Sequence, residues 1–187
     1  MAARIAAWAV VRGERVVVLD GVNVFDPYRL VREALARGVA ARMALSRVQV
    51  ARAFTCHQLA RLAEEHLAGA LTPDSFVLVL GPVSLFYDEQ VPLAERRRLF
   101  KRLIGALSRA KAKAPLLLLQ PPRPSGAPNR RFGQQLRELV EVVGEFGEGP
   151  GDQRSPAIPH TPLQPPLTAL GRRHLRSRLP REETHHP

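Results

Sequence analysis

An α/β fold, with a mostly parallel sheet covered by helices, is the class this sequence predicts, and three observations carry it. Apolar runs occur at VVVL (16–19), FVLVLG (76–81) and PLLLLQ (115–120). Strands buried on both faces read as such uninterrupted runs. Between them lie longer segments whose apolar residues recur at helical spacing. The two kinds alternate strictly, the pattern of parallel strands joined by helices.

AARIAAWAVVR, residues 2–12, is helix-forming and Gly13 follows where a helix stop is expected. Nothing caps its start at Met1, so the pattern reads as if an earlier turn preceded it. Arg15 to Leu19 form a buried strand ending at Asp20, and Pro27 suits the first turn of a helix over 27–37. VQVA, 48–51, is a short strand leading into a helix over 55–69 with Leu59, Leu62, Ala63 and Leu67 as its apolar positions. The strand 76–81 is followed by a loop through Asp88 and Glu89. Pro92 then opens a long helix to about 113, with Leu93, Phe100, Leu103, Ile104 and Leu107 on one face. The strand 115–120 ends at Gln120. Of 17 prolines in the chain, 12 lie beyond that residue, which excludes much further sheet. A last helix is expected over 131–146 through Phe132, Leu136, Leu139, Val140 and Val143, and a disordered tail rich in Pro and Arg over 147–187. The chain thus reads as one core domain, 1–146, plus a tail.

The charge is lopsided, with 28 Lys and Arg against 17 Asp and Glu, a formal net of +11. Such an excess favours polyanionic partners, nucleic acid or an acidic membrane surface; the alternative is a charge that only keeps the chain soluble. A single cysteine, Cys56, excludes an internal disulfide and a thiolate zinc site, and points to a reducing, cytoplasmic setting. No apolar run approaches the roughly 20 residues that span a bilayer, so no membrane partner is expected.

Four segments, in order, resemble the RecA-like ATPases (the P-loop NTPase fold), specifically the strand-exchange recombinases and their paralogues. VVVLD with FDPYRL resembles the strand after the phosphate-loop helix and its continuation; VQVARAFTCHQLARL resembles the family's next strand-to-helix segment. FVLVLGPVSLFYDE with PLAERRRLFKRLIGALSRAKAK resembles the strand of the magnesium-associated aspartate and the helix beyond it, and LLLLQ the strand ending in a nucleotide-sensing glutamine. The resemblance covers about 2–120. It implies a role in DNA recombination or DNA repair, with Asp20 and Gln120 near a nucleotide and a DNA-binding loop just beyond Gln120.

The departures bear on the chemistry. A phosphate loop needs glycines, a lysine and a hydroxyl, and no G-x-x-x-x-G-K-[ST] occurs. Gly81 stands where the magnesium-associated aspartate ends its strand, and Val22 where the family places the water-activating glutamate. No ATP hydrolysis is expected of the chain as it stands; ATP and magnesium enter only if a phosphate loop lies upstream, making the core N-terminally incomplete. The resemblance also implies that the strand before that loop is missing from inside the sheet, leaving a gap and marginal stability. Two causes fit these departures: a start at an internal methionine, or a degenerate paralogue that has lost hydrolysis.

For nucleic acid, the candidate segment is Arg123 to Gln135. Arg123, Arg130 and Arg131 would supply phosphate contacts and Phe132 a stacking ring for single-stranded DNA; the competing reading turns Phe132 into the core. The cations of helix 92–113 read as a solvated face, or else as phosphate contacts. His57 and Gln58 read as helix-start residues. Cys56 beside His57 lacks further ligands for a metal. Asp88 and Glu89, adjacent on the chain, read as surface residues rather than acid–base partners. The remaining alternatives are a non-catalytic interaction module that docks a complete ATPase or recombinase subunit, and a regulatory ATPase of the same fold that does not act on DNA.

Overall fold

The computed structural model describes residues 1–122 and 131–144. The Arg and Pro tail expected over 147–187, and Arg123 and Arg130, lie outside the described residues. The elements run α1 (Ala2–Val11), β1 (Arg15–Asp20), α2 (Pro27–Leu35), α3 (Ala41–Ser46), β2 (Val48–Arg52) and α4 (Cys56–Arg61). A π-helical segment (Leu62–Leu67), α5 (Ala68–Ala70), β3 (Ser75–Leu80), a 3-10 turn (Ser84–Tyr87), α6 (Leu93–Lys111), β4 (Leu116–Leu119) and α7 (Arg131–Leu139) follow.

Local chemistry sets the boundaries. At the end of α1 the Gly13 N–H reaches the Val10 carbonyl and the Glu14 N–H the Ala9 carbonyl, the paired bonds of a Schellman stop. Asp26 caps α2 by accepting from the Tyr28 and Arg29 N–H groups, with Pro27 as first helical residue. Thr55 caps α4 by accepting from the Gln58 N–H at 3.2 Å, while the Gln58 amide oxygen accepts from the Phe54 N–H at 2.8 Å. This resembles a capping box, displaced by one residue on the return bond.

The four strands are all parallel, in the order β2-β1-β3-β4, each bonded to its neighbour. No gap interrupts the sheet. The strand expected to be missing from its interior has no place there, and any further strand can pair only at an edge. Side chains alternate: Val16, Val18, Phe76, Leu78 and Leu80 face α1, α2 and α3, while Val17, Leu19, Val77 and Val79 face α4, the π segment, α6 and α7. The sheet is therefore covered on both sides, and the uninterrupted apolar runs are explained.

Three helices differ from expectation. The helix over 55–69 is α-helical only to Arg61, then widens to π geometry. A short helix, Ala41–Ser46, lies between the expected helix 27–37 and strand 48–51, where no element was expected. The helix expected over 131–146 stops at Leu139. Val140, Val142 and Val143 are β-branched and lose rotamer freedom in a helix, and Val142 and Val143 are exposed, so no burial offsets that cost.

Candidate functional site

The carboxyl ends of parallel strands are where open α/β sheets hold ligands, and both sequence-derived nucleotide residues lie there. Asp20 ends β1 and Gln120 follows β4, with β3 between them. Their side chains, however, are engaged with the protein itself. The Asp20 carboxylate is fully buried: Oδ1 accepts from the Val22 and Val24 N–H groups, both at 3.3 Å, and Oδ2 from the Phe25 N–H at 2.8 Å. It fastens the turn in which Asn23 takes a left-handed conformation, φ 56°. The Gln120 amide oxygen accepts from the Val83 N–H at 2.8 Å, and its Nε2 donates to Ser84 Oγ and the Pro121 carbonyl.

Val22 and Gly81, the two positions at which the resemblance implies acids, are in contact. Gly81 has φ 62°, and a Cβ built on it would sit 2.2 Å from Cγ1 of Val22. Val22 thus fills the volume that any side chain at 81 needs. The residues described do not fit a magnesium–nucleotide complex: the Asp20 carboxylate is shielded and bonded to three amides, and the room for an acid at position 81 is occupied.

Around this end two loops are tied together. Asn23 Nδ2 donates to the Ala53 carbonyl at 3.3 Å, Arg52 Nη2 to the Phe25 carbonyl at 2.8 Å, and the Ala53 N–H to the Asp20 carbonyl at 3.0 Å. Val24 and Phe54 project from these loops and Tyr28 from the first turn of α2; they are 62%, 66% and 84% exposed.

The other sequence-derived residues lie elsewhere, at α7. Arg131 is exposed. Phe132 is not a stacking surface but a core residue: its ring is 1% exposed and lies 4.8 Å from Phe100 and 5.7 Å from Phe86, centroid to centroid. These aromatic pairs anchor α7 on α6, each contributing about 0.5–1.5 kcal/mol beyond burial. Between the two helices runs a cavity of about 590 Å³. Arg97, Lys101 and Ile104 line it from α6, and Arg131, Glu138 and Leu139 from α7.

Glu138 was not among the sequence-derived candidates, and Arg97 and Lys101 were so only in the alternative reading of the α6 cations as phosphate contacts. Positions 97, 101, 104 and 108 do form one stripe of α6, but only the placement of α7 across it makes a groove. Arg96 departs from the solvated face read for this helix: it is buried, with Nη1 donating to the Phe86 carbonyl at 3.1 Å.

Near the start of α6, Glu95 accepts from or pairs with His57, Nε2 to Oε1 at 3.0 Å, while the Cys56 thiol lies 3.7 Å from His57 Nδ1. Cys56 is buried, and burial, with Asp88 and Glu95 nearby, pushes its thiol pKa up. The thiol is therefore held in its protonated, poorly nucleophilic form. Among the described residues no group of three or more His, Cys, Asp or Glu is placed to hold a metal ion, and no helix is long and apolar enough to cross a membrane. No family model matches this chain, and no curated protein does.

Proposed function

We propose that this chain is a RecA-like recombinase paralogue acting in DNA recombination or repair, with an accessory role that does not include ATP hydrolysis. Support for the lineage is the resemblance of four ordered segments, which here lie in one parallel sheet with Asp20 and Gln120 at the same end. The observation that carries the accessory role is Val22 packed into the space over Gly81. Phosphoryl transfer needs positioned acids for magnesium and water, and this pair replaces two of them with a steric lock. The formal charge of +11 gives the chain its affinity for a polyanion.

A second reading is favoured by one observation. Val24 and Phe54 on the joined loops, and Tyr28 at the start of α2, expose apolar surface at the crevice end. That surface suits docking onto a complete ATPase subunit in place of a nucleotide.

One experiment separates these readings. The full chain is incubated with ATP, magnesium and single-stranded DNA, and phosphate release and DNA retention are measured together. The expected result is no turnover with salt-sensitive DNA binding. Turnover above background would overturn the accessory role. Loss of DNA retention at low salt, with a stable complex formed on adding a recombinase ATPase, selects the docking reading.

A further inference from the structure

We infer that the groove between α6 and α7 is a binding site for single-stranded nucleic acid, with phosphates on the Arg97–Lys101 rim and a base over the apolar floor. The inference rests on the reading of the chain as a DNA-binding protein and names the surface that does the binding.

Three of the other cations of α6 are held by carboxylates. Arg98 pairs with Glu95 at 3.7 Å, Arg102 Nε with Glu64 at 2.8 Å, and Lys111 with Glu141 at 3.1 Å. Arg97 and Lys101, which turn into the groove, have no carboxylate within ion-pair distance among the described residues. Cations left without partners beside a concave surface are poised for an external anion. Four residues apart, they stand about 6 Å from one another along the helix axis, comparable with successive phosphates of an unstacked strand. Arg131 adds a third positive group from the facing helix.

The rest of the lining argues against a simple anion. A cavity of about 590 Å³ is far larger than one phosphate requires, and lies in the size range of sites that enclose an organic ligand. Its floor includes Ile104 and Leu139, surfaces a bare anion leaves unused. A nucleotide unit presents both a charge for the rim and a flat ring for the floor. An acidic peptide also offers both, but the whole-chain charge of +11 acts most strongly on a long polyanion. Among the described residues Glu138 is the one acid lining the groove, and it opposes phosphate there.

The test is fluorescence anisotropy of a labelled oligothymidylate titrated with the full chain at several salt concentrations. Arg97→Ala with Lys101→Ala should weaken binding at least tenfold and lower the salt slope by about 1.4, two contacts at roughly 0.7 each. Glu138→Gln should tighten binding, and Arg98→Ala, on the neighbouring paired position, should leave it within twofold. All of these side chains are exposed or partly exposed, so the fold is retained. Oligothymidylate binding unaltered in the double variant overturns the groove while leaving DNA binding by the protein intact. No binding by the parent chain at low salt overturns the DNA-binding reading itself, and the groove inference with it. Tighter binding of labelled polyglutamate than of oligothymidylate, lost in the same double variant, makes the groove a peptide site and equally overturns the inference.

Discussion

Val22 and Gly81 form a single structural unit. A β-branched side chain at 22 and the absence of one at 81 are complementary, because Cγ1 of Val22 occupies the volume a residue-81 Cβ would need. Gly81→Asp therefore cannot simply restore an acid. An ordinary residue in the left-handed region costs about 1–2 kcal/mol, and forced overpacking typically about 1–3 kcal/mol. Gly81→Asp is expected to lower unfolding stability by roughly 2–4 kcal/mol. Adding Val22→Ala should recover the steric share and leave the backbone share. Urea denaturation of the three chains measures both, and a single variant as stable as the parent would show that no such lock exists. The resemblance to RecA-like ATPases already marks positions 22 and 81 as places where that family carries acids. Contact between their replacements was not legible, because it depends on the loops after β1 and β3 folding over one another. Phe132 shows the same limit: beside arginines it reads equally well as a stacking ring or a core residue, and only Phe86 and Phe100 decide.

At the scale of elements, strands were the most legible feature, since burial on both faces leaves uninterrupted apolar runs at 16–19, 76–81 and 115–120. Helices were less so. Leu59, Ala63 and Leu67 are four apart, a spacing compatible with an α-helix throughout, and nothing in the composition marks the widening at Leu62–Leu67. The start of α4 makes its own prediction through Cys56. Burial, the main cause, raises its thiol pKa above the ordinary thiol range, so folding favours the protonated form. Stability from this source is fully present below the unfolded thiol pKa, about 8.5. It is lost as pH rises through the higher folded value. Cys56→Ala should accordingly show a shallower alkaline fall in unfolding stability than the parent chain. In native buffer the parent thiol should react with Ellman's reagent only at the rate of opening; immediate labelling would contradict its burial.

At the largest scale, the crossovers leave one sheet edge open among the described residues in a particular way. From β1 the chain crosses the α2–α3 face to reach β2 on one side. From β2, and again from β3, it crosses the opposite face towards the other side. Opposite directions on opposite faces are what uniformly right-handed crossovers require. By the same rule, a parallel strand leading into α1 belongs on the far side of β1 from β2, and with β3 and β4 already there it falls beyond β4. That edge consists of four half-buried leucines with no charge, whereas β2 at the other edge carries Gln49 and Arg52 exposed. Uncharged apolar edges invite pairing with another strand. Hydrogen exchange reports whether this edge is open. The Val77 N–H bonds the Pro115 carbonyl at 2.9 Å and the Gly81 N–H the Leu119 carbonyl at 2.7 Å. The period of two then turns the backbone groups of Leu117 inward and those of Leu116 and Leu118 outward. In the isolated chain the amides of Leu116 and Leu118 should exchange roughly tenfold or more faster than those of Leu117 and Leu119. Equal protection at all four would mean that another strand lies against β4, the edge on which handedness places a parallel strand leading into α1.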